Sequence, residues 1–158
     1  MTRLFGTTIF LSALLLFSVQ PMVGKMVLPR FGGTPAVWNT CMVMYQALLL
    51  AGYAYSHFSC KWLGVQRQLL LHLAVLVVPL FALPVAFSQN VVAPSSTNPT
   101  GWLLVQLLAA VGLPFFAVAT TSPLIQSWLH QSRFRNADDP YYLYAIGNAG
   151  SLLALLGY

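Results

Sequence analysis

Five stretches of apolar sequence, each about as long as a bilayer is thick, take up most of this 158-residue chain. They cover residues 4–23, 37–56, 69–87, 102–128 and 141–158. About 20 apolar residues in helical form cross the ~30 Å hydrocarbon core of a membrane. Inside that core every backbone N–H and C=O has to be paired within its own segment, and a helix does this for runs of such length. The sequence therefore predicts an all-α, polytopic transmembrane helix bundle with about five spans. Residues 1–158 read as one transmembrane domain, with no second domain and no internal repeat.

Charge supports the same reading. Charged residues make up 6% of the chain and hydrophobic residues 58%, where a soluble domain carries about 25% charged residues. The acids are Asp138 and Asp139 alone. So few charges could not cover a water-facing surface, whereas lipid tails solvate an apolar exterior without them. The net charge of +5 comes from basic residues scattered singly between the apolar runs. A nucleic-acid surface would cluster them, so nucleic acid is excluded as a partner and the lipid bilayer is the expected one.

Alternating spans put Arg3, Lys61, Arg67, Arg133 and Arg135 on one side of the membrane. Lys25 and Arg30 fall on the other, together with an uncharged, turn-rich loop over residues 88–101. The positive-inside bias then places the N-terminus in the cytoplasm. The first run ends in Gln20-Pro21 without a small-x-small cleavage site, so it reads as a retained helix rather than a signal peptide. Trp38, Tyr53, Tyr55, Trp102, Trp128, Tyr141 and Tyr142 lie at run ends, where an interfacial aromatic belt would sit. Cys41 and Cys60 stand at opposite ends of the second run, too far apart along a helix to form a disulfide.

The densest polar cluster runs from Gln20 to Thr40. Its prolines and the adjacent Gly32 and Gly33 are expected to end regular helix between the first two spans. Lys25 and Arg30 are the cations on the side that should be poor in them. One reading is a partly embedded loop lining a polar cavity, with Gln20, Trp38 and Asn39 among its residues and Lys25 and Arg30 facing an anion, a headgroup or a buried carboxylate. The other is two snorkelling cations at an interface. Gln46, Gln106 and Asn148 lie inside spans, where an amide needs a partner, and they are expected to face other helices. Gln46 and Asn148 join the candidate cavity set. Gly147, Ser151 and Ala154, spaced four and then three, offer a small-residue packing face on the fifth span.

His57, His72 and His130 all fall near the predicted cytoplasmic face. Two of them could ligate a haem iron, a pigment metal or another ion, but no spacing signature supports it, and no cofactor is expected. There is no G-x-S-x-G elbow, no acid inside a span and no G-x-G-x-x-G loop. The residues 136–141 read as a helix start, with an acid near the cap and Pro140 in the first turn. Arg133 and Arg135 are near enough to pair with Asp138 and Asp139 there.

Several motifs also carry a family resemblance. They are Gln20-Pro21, Gly24-Lys25, Leu28-Pro29 and the run from Gly32 to Cys41, followed by the run from Gln46 to Tyr53. Gly112-Leu113-Pro114-Phe115-Phe116, the run from Ser122 to Trp128, Asp139-Pro140-Tyr141-Tyr142-Leu143-Tyr144-Ala145, Asn148 and the run from Gly150 to Leu155 complete the set. In order and spacing they resemble the N-terminal membrane region of bacterial fused MFS-type/spermidine synthase-like proteins, over nearly the whole chain. Gly147 departs from the pattern, where serine is expected. The resemblance implies a membrane module of the bacterial inner membrane. In that family a transporter-like helical region precedes a soluble aminopropyltransferase-like Rossmann domain, whose nucleotide-binding glycines and catalytic acids have no counterpart in these residues. The expected role is a non-catalytic, multi-pass accessory or structural subunit, associating with other membrane subunits or with itself. The alternatives are a transporter-like module for a polyamine or small ion, and a haem- or pigment-binding redox subunit.

Overall fold

The computed structural model describes residues 2–85, 87, 99–131 and 140–158. These form five helical rods, with no strand among the described residues. The first rod is α1 (Thr2–Phe31) and the second is α2 (Pro35–Trp62). The third is α3 (Val65–Val77), which tightens into a 3-10 segment over Val78–Ala82. The fourth joins α4 (Pro99–Leu107) to α5 (Leu113–Gln131) through a π-helical segment, Leu108–Gly112. The fifth is α6 (Pro140–Gly157). Arg3–Phe31, Val65–Ala82 and Pro99–Gln131 are long and apolar enough to cross a membrane. The 28 residues of α2 and the 18 of α6 have the length for it.

The helices overrun the apolar stretches that announced them. At 30 residues α1 is about 45 Å long, half as long again as a hydrocarbon core. The expected break between the first two spans falls at Gly32-Gly33, but the prolines do not make it: α1 continues through Pro21 and Pro29 to Phe31. A proline removes one backbone donor, and in a membrane helix neighbouring groups take up the loss. Beside Pro21 the helix is also braced from outside, the Tyr45 and Tyr158 hydroxyls donating to the carbonyls of Gln20 and Pro21 at 3.4 and 3.2 Å. The chain turns at Gly32, whose φ of +92° suits a residue without Cβ. Thr34 then caps α2, its hydroxyl oxygen accepting from the Val37 N–H, with Pro35 in the first turn.

The third and fourth rods change helix type near prolines. Pro79 lies in the 3-10 segment, and the π segment ends two residues before Pro114. Such local changes let the carbonyls displaced by proline find other partners. The third predicted span, 69–87, is corrected: the helix begins at Val65 and ends at Ala82, with Leu83 extended before Pro84.

α1 packs along α6 on one side and α5 on the other, and α2 packs on α5 and α4, so α5 separates most of α1 from α2. α3 lies against α5. Most of the core gathers near the α1–α2 turn, from Val23, Val27, Cys41, Met44, Leu103, Leu107, Val111 and Phe115. A smaller cluster of Ile9, Leu129 and Leu143 closes the other end. Elsewhere the exterior is leucine and valine, including Leu11, Leu15, Leu50, Leu70 and Leu156, as expected of helices that lipid surrounds.

Candidate functional site

The residues expected to line one polar cavity are dispersed. Lys25 is exposed on α1, and its Nζ lies 4.1 Å from the centre of the Tyr158 ring. With the Tyr158–Pro21 hydrogen bond, this fastens the last residue of the chain to α1. A cation over an aromatic face at such a site is worth about 0.5–1 kcal/mol. Arg30, also exposed, donates from Nη1 to the Phe87 carbonyl at 2.9 Å. It holds the segment after α3 against the end of α1. Gln20 is half-buried. Trp38 is exposed at the start of α2, yet its ring reaches so near Gly24 that a Cβ there would lie 3.3 Å from it. Asn39 is exposed.

A cavity of about 250 Å³ opens beside this turn, lined by Phe31, Thr34, Val37, Thr40, Trp102 and Leu103 among others. Lys25 and Arg30 are not in its wall. The two cations and the cavity, which the sequence placed together, are thus separate features. A larger groove of about 600 Å³ runs between α1 and residues 83–85, and its wall is apolar throughout.

The positions of the amides are more informative. Gln46 and Asn148 are exposed on the outer surfaces of α2 and α6, while Gln106 is half-buried. Their helices turn them away from the other helices of the chain. The small-residue face of α6 is present but rotated. Ala154 is buried and Gly147 and Ser151 are half-buried, while the closest approach to α1 is at Gly150. A Cβ there would lie 2.5 Å from the Phe10 carbonyl oxygen.

A polar cluster the sequence did not single out sits where the first turns of α3 meet α2 and α5. The Gln68 amide is buried and donates to Ser59 Oγ at 3.1 Å and to Cys60 Sγ at 2.9 Å. Its oxygen accepts from Trp128 Nε1 at 2.5 Å. Ser59 Oγ in turn donates to the Ser56 carbonyl. One turn further along α3, His72 is 3% exposed. Its ring centre lies 6.2 Å from that of Tyr55 and 6.0 Å from that of Trp128. Both His72 nitrogens and the Tyr55 hydroxyl are buried without a hydrogen-bond partner among the described residues. Tyr55 and Trp128 are therefore bundle residues, whereas Trp38, Tyr53, Tyr141 and Tyr142 stay exposed as a belt would be.

His57 and His130 are exposed, so the three histidines do not converge. Among the described residues no group of three or more His, Cys, Asp or Glu is placed to hold a metal ion. Both cysteines are free, Cys41 in the core and Cys60 at the polar cluster. Asp138, Asp139, Arg133, Arg135 and most of the 88–101 loop lie outside the described residues. The one signal that could have exposed the cluster is Gln68 and His72, four apart and therefore on one face of α3. Three leucines lie between them. No family model matches the chain, and no curated protein or solved structure is significantly similar to it.

Proposed function

We propose that the chain is a non-catalytic module of the bacterial inner membrane, crossing it five times with its N-terminus in the cytoplasm. In this reading it is an accessory or structural subunit of a larger membrane assembly. The observation that carries the reading is the outward exposure of Gln46 and Asn148 near the middle of α2 and α6. At that depth lipid offers an amide no hydrogen-bond partner, and an unpaired amide in hydrocarbon costs several kcal/mol. A facing helix from another subunit, or from a second copy, supplies the partner. Interhelical bonds of this kind are worth about 0.6–2 kcal/mol each. The resemblance to the membrane region of fused spermidine synthase-like proteins agrees with a modular role. A transporter-like role has less behind it, because Lys25 and Arg30 stand outside the cavity they were expected to line.

Mass measurement in mild detergent tests the proposal. The expected result is a particle larger than one 17.3 kDa chain, carrying either a partner or a second copy. Gln46→Leu with Asn148→Leu should shift it towards the monomer without changing its helical content. A monodisperse monomer from the unaltered chain would contradict the proposal.

A further inference from the structure

Gln66 and Arg67 in the first turn of α3 are exposed, but from Gln68 onward the helix turns its polar residues inward and its leucines outward. Gln68 and His72 are buried, whereas Leu69, Leu70, Leu71 and Leu73 are exposed. A polar side chain between helices in lipid serves as glue when its hydrogen bonds are paired, whereas an inward ionisable residue whose bonds are unpaired marks a site. Gln68 is fully matched by Ser59, Cys60 and Trp128. His72 is not: a neutral imidazole has one donor and one acceptor, and neither is used. Across the seam the Tyr55 hydroxyl, which can donate or accept, is also unmatched.

We propose that this seam is an intramembrane proton-binding site, in which His72 carries the proton, the Tyr55 hydroxyl oxygen accepts its hydrogen bond and the Trp128 ring faces the charge. A hydronium ion gives its proton to the lone pair of a ring nitrogen and leaves as water. The imidazole becomes imidazolium, and no other bond changes. The groups facing it suit that charge. From α2 it is Tyr55, with Ser59 and Cys60 one turn away around Gln68, and none of them is cationic. From α5 the facing group is Trp128, whose ring is nearly perpendicular to the imidazole, at 88° and 6.0 Å. That separation is within the ~6 Å over which an indole attracts a cation. α3 itself contributes Gln68. Lys61, Arg67, His57 and His130 are all exposed, away from the seam. Among the described residues, which include no Asp or Glu, the hydroxyl oxygen and the indole are the groups placed to meet the charge. His72 lies seven residues beyond Val65, about 10 Å along the helix from the α2–α3 turn. Ser59, Cys60 and Gln68 line that stretch with groups able to pass hydrogen bonds inward.

The site can be read without knowing any partner, and it stands whether the chain is a monomer or a subunit. The chain carrying His57→Gln and His130→Gln, with His72 as its single histidine, is placed in phospholipid nanodiscs. Tryptophan emission and ¹⁵N-histidine NMR are followed through the window of about pH 8 to 5 in which histidine changes charge. An imidazolium beside an indole quenches its emission. Trp128 is one of four tryptophans, so acidification should remove up to a quarter of the signal along a single protonation curve. The ¹⁵N resonances should move with the same midpoint. His72→Gln should abolish the quenching. Tyr55→Phe, which removes the acceptor of the charged form, should move the midpoint to lower pH. A histidine whose ¹⁵N shifts stay constant over the window would overturn the proposal. So would quenching that survives in His72→Gln, or a midpoint that Tyr55→Phe leaves in place.

Discussion

Gly150 is where α6 comes nearest to α1, its Cα backed directly by the Phe10 carbonyl. Any Cβ added there has to move backbone, since the atom it meets is not the end of a flexible side chain. Gly150→Ala should therefore destabilise the bundle by about 1–3 kcal/mol. Gly147→Ala is the control on the same helix. Its Cβ would meet only Ile9 Cγ2 at an ordinary 3.5 Å, and the higher helix propensity of alanine favours it by up to about 1 kcal/mol. Thermal unfolding in detergent should put the two variants on opposite sides of the unaltered chain. The contrast shows what was legible at this scale. Spacing revealed a stripe of small residues on α6, but not the rotation that makes Gly150 its centre. Nor did it reveal that Tyr55 and Trp128 turn inward, because a belt aromatic and a bundle aromatic occupy the same place at the end of an apolar run. Which one it becomes depends on Gln68 and His72, more than 50 residues from Trp128.

At the scale of elements, the apolar runs located every helix among the described residues and misjudged most of their ends. A run of apolar residues reports what lipid can solvate, whereas a helix ends where its hydrogen bonds do. α1 continues through Pro21 and Pro29 for this reason and stops at Gly32, the one glycine with positive φ among the described residues. An L-residue in the left-handed region costs about 1–2 kcal/mol. Gly32→Ala should lose that much stability, while Gly33→Ala, with open space around it and no positive φ, should lose little. Chemical unfolding of the two variants side by side checks this, and equal effects would mean that the turn is made elsewhere. The third and fourth rods carry the same lesson. Their prolines were visible in the sequence, but the 3-10 segment at Pro79 and the π segment before Pro114 depend on which carbonyls find partners after folding.

For the whole molecule, the all-α architecture follows from the apolar runs because a bilayer leaves a chain so few choices. The candidate site followed less well. Single-residue chemistry left Lys25 and Arg30 between a cavity wall and a snorkelling position at an interface, and the fold leaves both exposed, Lys25 over Tyr158 and Arg30 on the Phe87 carbonyl. The amides were expected to face other helices, and the exposure of Gln46 and Asn148 on the outside of the bundle leaves that role to helices beyond this chain. The five-pass reading depends most on α2, which is long enough to cross but less apolar than the three helices that qualify by composition. Gly33 and Gly64 flank α2 in exposed turns with open space around both, so each accepts a cysteine without repacking. In a background of Cys41→Ala and Cys60→Ala, Gly33→Cys in intact cells should react with a membrane-impermeant maleimide. Gly64→Cys should react only after the membrane is opened. Labelling of both from the same side would mean that α2 does not cross, and would contradict the five-span account.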